Sequence, residues 1–353
     1  VTAHATRTDR PSARTAGRRR RVRPAAVLAV VLLGALAVGV VALTVGDFPL
    51  SVPRVLAVLV GRGDGATRLI VLELRAPRVL VGLLAGAGLA LAGALTQTVV
   101  RNPLASPDVL GVTSGASLGA VAAIVGGGGT YEVSDALLRA GVPLCAAVGG
   151  LAAATLVVGL SWRRGLAPTR LVLVGVGLAS AVTALTSWLL VVAKVNDATT
   201  ASVWLAGSVS SRGWAQAVPL AIALAVLVPA GLALARPLSV LELGDEVAAG
   251  LGLRVRATAF AAAAVAVCLT AAAVSAAGAI GFVGLVVPQI MLRLAGTTRP
   301  PLAASAAGGA LLVGGADLAE RLLFSWEVPV GLATAALGAP YLIWLLIRQR
   351  RTA

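Results

Sequence analysis

A chain of 353 residues that is 58% hydrophobic and 12% charged, with mean hydropathy +0.96, cannot cover its surface as a soluble domain; soluble domains carry roughly 25% charged residues. It reads as an integral membrane protein. The net charge of +15 does not call for nucleic acid, because it sits in a basic tail and short loops, the distribution of cytoplasmic segments in membrane proteins.

Residues 1–24 hold His4 and eight arginines, four of them consecutive from Arg18 to Arg21. A segment this polar cannot bury a core and is expected to be a disordered cytoplasmic tail, leaving 25–353 as one transmembrane domain. Ala25–Gly46 is 22 uncharged residues, longer than a signal-peptide core, with no A-x-A site after it, so it is expected to be an uncleaved first span. Uncharged runs of about 20 residues, the length of a helical span, then recur. They are Val79–Val100, Val109–Tyr131, Ala140–Trp162, Leu171–Ala193 and Gly213–Ala235. Ala257–Leu292 is 36 residues long and contains Gly278, Gly281, Gly284 and Pro288, which predicts two spans with a glycine-rich junction. Leu302–Leu323 and Val328–Ile347 complete ten spans of an all-α polytopic protein. Small residues dominate them, which favours close helix packing.

With the N-terminus inside, 20 of the 29 basic residues fall on the inner side. The positive-inside rule therefore places both termini in the cytoplasm. The outer segment Asp47–Arg78 carries five of the other nine and reads either as a solvated loop or as a docking surface for an acidic partner. The inner segment 237–256 has Leu243, Val247 and Leu251 every four residues, with Glu242, Asp245 and Glu246 between them. That period predicts short amphipathic helices on the cytoplasmic face, a protein-contact element. A faint internal echo pairs Ala92-Gly93-Ala94 with Ala277-Gly278-Ala279, and Pro103-Leu104-Ala105 with Pro301-Leu302-Ala303.

Chemistry-bearing residues are sparse. His4 is the single histidine, and Cys145 and Cys268 lie in apolar runs without metal-ligand spacing, which excludes histidine catalysis and points to ordinary buried thiols. There is no G-x-x-x-x-G-K-[ST], so this chain is not its own P-loop ATPase. An ion-coupled transporter needs a charge deep in the membrane, and an intramembrane enzyme needs an acidic or histidine cluster; neither is present. Asp317, near the outer end of its span beside Glu320 and Arg321, reads as a local ion pair. Most of the few polar span residues read as helix–helix hydrogen-bond partners; Gln97, Ser180 and Thr183 are candidates for a translocation pathway, with Gln97 expected to face either the bundle interior or that pathway.

Five ordered motifs carry a family resemblance from about Arg75 to the C-terminus: RAPRVL followed by GAGLALAGALTQTVVRNPLASPDVLGVTSGASLGA; Val203–Ser208 with Arg212-Gly213-Trp214; LELGDEVAAGLGLRV; GAIGFVGLVVPQIMLRLAG; and ADLAERLL with Val328–Gly331 and Leu337–Pro340. The pattern resembles the FecCD-type permeases of ABC importers for iron-siderophores, haem and cobalamin. That resemblance implies a ten-span type II permease in the bacterial cytoplasmic membrane, paired with a second permease subunit. It implies two ATPase subunits that hold ATP and Mg, while this chain binds no cofactor. It also implies a periplasmic or lipid-anchored binding protein delivering an iron-siderophore, with cobalamin or haem as the alternative cargo. By the same resemblance Arg75, Arg78 and Arg321 face outward for docking. Leu243, Gly244, Asp245, Glu246, Leu251, Gly252 and Leu253 contact the ATPase. Asn102-Pro103-Leu104 and Ala167-Pro168-Thr169 form an inner gate. Gln289 stands where relatives often have histidine, and Pro168 where they often have a small hydroxylated residue.

Overall fold

The computed structural model describes residues 24–46, 48–127, 135–161, 168–324 and 326–350. The basic tail up to residue 23 and Ala167 of the expected gate lie outside the described residues.

The described chain is helical from end to end. The order is α1 (Pro24–Thr44), α2 (Val52–Leu59), α3 (Gly65–Arg68), a π-helical turn (Leu69–Arg75), α4 (Ala76–Val100), a 3-10 turn (Pro107–Leu110), α5 (Val112–Gly126), α6 (Asp135–Ser161) and α7 (Pro168–Val192). It continues with α8 (Val195–Leu205), α9 (Trp214–Ala233), α10 (Ala235–Leu241), α11 (Asp245–Gly250), α12 (Val255–Ala277), α13 (Val283–Ala295), α14 (Leu302–Leu323) and α15 (Val330–Arg350). Each of the ten expected spans has its helix. Seven segments are long and apolar enough to cross a membrane, and three shorter apolar helices fall in α5, α13 and the Val330–Trp344 stretch of α15.

The expected division of the 36-residue run is realised at Gly278–Phe282, between α12 and α13. Gly278 ends α12 at φ +77° and Phe282 opens α13 at φ +66°. The break is buried against a second irregular segment, where the Gly331 amide donates to the Gly207 carbonyl at 2.9 Å. Non-helical backbone at membrane depth requires such burial in protein. The outer segment differs from a solvated loop. It is helical from Val52, and the π turn joins α3 to α4 as one continuous rod over Gly65–Val100. Val55, Val58 and Val71 bury a small satellite core beneath it. The internal echo does not map onto equivalent places: Gly93 is mid-helix in α4 whereas Gly278 terminates α12, and Pro103 lies in a turn whereas Pro301 caps α14.

α4 is the central helix, packed against α1, α9, α12, α13 and α14. Its Gly, Ala and Leu positions make this possible. A Cβ on Gly93 would overlap the Gly284 carbonyl of α13, and one on Gly86 would overlap the Gly309 carbonyl of α14. With no hydrophobic effect between helices in lipid, such close backbone approach is the main source of association. α4 spans about 37 Å at 1.5 Å per residue and so carries Arg78 at one end and Arg101 at the other.

Candidate functional site

At the Arg78 end, charges that a bilayer would penalise are gathered into one network. The Arg78 Nε donates to Asp317 Oδ1 at 2.9 Å and its Nη2 to Glu320 Oε2 at 3.2 Å, while Glu327 Oε1 lies 3.5 Å from Nη1. Arg321 donates to the other Asp317 oxygen and to the Ala42 carbonyl. Glu320 also accepts from the Val328 amide at 2.8 Å. Asp317 and Glu320 are 2% and 5% exposed, so their burial is tolerable only because arginines and a backbone amide satisfy them. The ion pair expected of Asp317 is present, and it extends to α4 and α1 as well as its own helix.

The three arginines expected to face outward do not do so in this subunit. Arg75, the last residue of the π turn, is buried and donates to the carbonyls of Leu43 (3.0 Å), Thr44 (3.1 Å) and Phe48 (2.6 Å). It ties the α1–α2 connection to α4. Arg78 and Arg321 are committed to the network above, with side chains 14% and 11% exposed. Among the described residues of this end, Arg54, Arg62 and Arg68 on α2, α3 and their connection present exposed basic side chains, as does Lys194 before α8.

One helical turn before Arg101, Gln97 is occupied in helix packing. Its Nε2 donates to the Leu285 carbonyl at 3.0 Å, and its Oε1 accepts from Gln289 Nε2 at 2.8 Å. Both amides are buried. Gln97 therefore braces α4 against α13 and does not face an open channel. An amide at 289 suits this role because it can donate while remaining neutral. Ser180 and Thr183 are differently placed. They lie with Ser187 along an open groove on α7. A cleft continues from Thr183 and Ser187 to Thr113, Ser114 and Ser117 of α5, with Asp108 at its end. Hydroxyls alternate in the walls with apolar side chains such as Ala179, Leu190 and Leu205, and the one acid, Asp108, is bonded to Ser106 and Thr113. α7 is also the least buried of the described long helices, at 11%.

At the Arg101 end, the segment expected to contact a partner forms α10 and α11. Leu238, Leu241 and Ala248 turn inward and are buried. Leu243, Val247 and Leu251 turn outward at 59%, 52% and 65% exposed. Gly244 and Gly252 take φ +100° and +85°, which L side chains rarely adopt, and this lets a six-residue helix sit between two sharp turns. Asn102 organises the neighbouring turn, its Oδ1 accepting from the Leu104 amide at 2.9 Å. Pro168 and Thr169 open α7, so the second stretch of the expected gate begins a helix.

Seven helical segments long and apolar enough to cross a membrane, with a cleft carrying hydroxyl groups and an exposed apolar element at one face, define a polytopic helical membrane protein. A family model for the FecCD transport family matches residues 12–348. The chain belongs to that family. It is 39% identical over 314 residues to the ferric enterobactin transport system permease protein FepG of Escherichia coli (strain K12), covering 89% of this chain and 93% of that one. It is 40% identical to the achromobactin transport system permease protein CbrC of Dickeya dadantii (strain 3937), covering 92% and 91%. It is 38% identical to the vitamin B12 import system permease protein BtuC of Salmonella paratyphi A, covering 80% and 85%. A solved metal-chelate type ABC transporter in an inward-facing conformation superposes with a TM-score of 0.79 at 28% identity, over 92% of this chain and 99% of that one.

Proposed function

We propose that this permease carries a ferric siderophore inward across the bacterial cytoplasmic membrane, with both termini and the α10–α11 face in the cytoplasm. ATP and Mg are held by separate ATPase subunits. The observation that carries the reading is the outward apolar row Leu243, Val247 and Leu251 on an element whose opposite face is anchored in the core. A row of this kind, exposed to water, needs a protein partner. The Glu246 side chain beside it is exposed and supplies a polar rim. The Asn102–Leu104 turn and the start of α7 at Pro168-Thr169 serve as the inner gate.

The cleft supports a hydrophilic chelate as cargo. Its hydroxyl groups offer hydrogen bonds, and its one carboxylate, Asp108, is bonded to Ser106 and Thr113. The relatives named for ferric enterobactin and achromobactin favour a siderophore; the vitamin B12 relative supplies the second reading. The exposure of α7 supports a second permease subunit across the cleft. The binding protein docks at the opposite face, where Arg54, Arg62 and Arg68 present positive charge that would steer an acidic partner.

Thr183→Trp fills the groove with an indole. It is expected to remove most uptake of radiolabelled ferric enterobactin, because the indole occupies the space the chelate would pass through, while the ATPase still co-purifies. Undiminished uptake by this variant removes the α7 groove from the pathway.

A further inference from the structure

The geometry points to Arg101 as the positioning residue that links the ATPase-facing segment to the gate turn, seconded by Arg299. This inference rests on the transport reading above.

Arg101 ends α4 in the left-handed conformation, at φ +54°, an uncommon state for a side chain of its size. That conformation turns the chain directly into Asn102-Pro103-Leu104 and sends the guanidinium toward the α10–α11 connection. There the Nη2 donates to the Leu241 carbonyl at 2.7 Å and to Asp245 Oδ1 at 2.5 Å. Leu241 is the last residue of α10 and Asp245 the first of α11. One side chain therefore grips both helices of the segment at their joint. The residue that grips is also the peptide neighbour of the gate turn.

Arg299 holds the same element from the other side. Its Nη1 donates to the Ala235 carbonyl at the start of α10 at 2.7 Å, and its Nε lies 3.9 Å from Glu242 Oε1. Thr298 reaches the other Glu242 oxygen at 3.4 Å. The segment is thus tied to the α4 end through Arg101 and to the α13–α14 connection through Arg299. A displacement of α10 and α11 by a partner acting on Leu243 and Leu251 pulls on the Arg101 side chain. From there it passes through one peptide bond to Asn102. A simple cap on α4 would need a single carbonyl acceptor; two acceptors on a separate element make a mechanical connection. The Arg101–Asp245 pair is 46% and 65% exposed, so its value lies in fixing a joint more than in stability.

The test uses the full permease–ATPase complex in lipid nanodiscs, with Cys145→Ala and Cys268→Ala and a spin label on Leu104→Cys. The Arg101 parent is expected to show a change in label mobility on adding ATP, Mg and vanadate. Arg101→Ala is expected to reduce that change about fivefold, the low end of measured couplings between sites, with ATP hydrolysis retained. The exchange of Arg101→Asp with Asp245→Arg is expected to restore it. Arg101→Gln, which keeps a polar side chain at this position but is too short to reach the Leu241 carbonyl or Asp245, serves if the alanine variant does not assemble. An undiminished label response in Arg101→Ala or Arg101→Gln overturns the clamp alone. A label that ignores nucleotide in the Arg101 parent overturns the transport reading and the clamp with it.

Discussion

Arg78→Ala is expected to destabilise the folded subunit by about 3 kcal/mol, because removing one member of a buried ionic cluster leaves charge without compensation. Asp317 would retain Arg321, and Glu320 would retain the Val328 amide, but neither carboxylate could replace the fork that joins them. The cost falls on the junction of α4, α14 and α1, where the network lies. The measurement is the unfolding midpoint of the purified subunit in detergent, with Arg78→Lys as the variant that keeps charge but not bidentate geometry. This result separates two roles. A residue whose task is only to meet a binding protein can be removed without loss of stability. An unchanged midpoint, together with weakened binding-protein affinity, would assign Arg78 to docking alone.

The second large effect is at the opposite face. Leu243→Asp combined with Leu251→Asp is expected to release the ATPase. Burying a leucine in an interface contributes about 2 kcal/mol, so the pair amounts to roughly a thousandfold in affinity. Both side chains are exposed in the subunit, so the fold has no stake in them. The check is co-purification of the ATPase with the double variant beside a thermal midpoint of the permease. A complex that survives purification intact would contradict the assignment of α10 and α11 as the coupling element.

Much of this architecture was legible in the sequence because bilayer thickness and helical rise leave few solutions. The glycine-rich junction and the four-residue period of Leu243, Val247 and Leu251 became the α12–α13 break and an exposed row on α10–α11. What could not be read was where long side chains go. Arg75 looks like a loop-facing arginine in a linear sequence; in the fold it closes the π turn at Leu69–Arg75 and donates to the carbonyls of Leu43, Thr44 and Phe48. The Asp317–Arg321 spacing of one helical turn announces a local pair, whereas Arg78 joins from a helix more than 200 residues earlier. Gln97, an amide costly in lipid, raised the expectation of a position facing the bundle interior or the pathway, and the interior is where it lies. Its partner Gln289 lies 192 positions away and absorbs that cost inside the bundle. Arg101 carried a signal that was available, as the single basic residue of its inner connection, but its acceptors are set by tertiary packing.

The measurement that tests the central claim most directly is uptake of radiolabelled ferric enterobactin in cells deleted for this chain. Uptake is compared with the chain absent, restored, and restored beside an ATPase subunit unable to hydrolyse ATP. The account predicts uptake that returns with the chain and disappears with the inactive ATPase. Uptake that persists with the inactive ATPase would contradict ATP-driven import. No uptake with every component intact would contradict this siderophore as cargo, and labelled cobalamin in the same cells would then test the second reading.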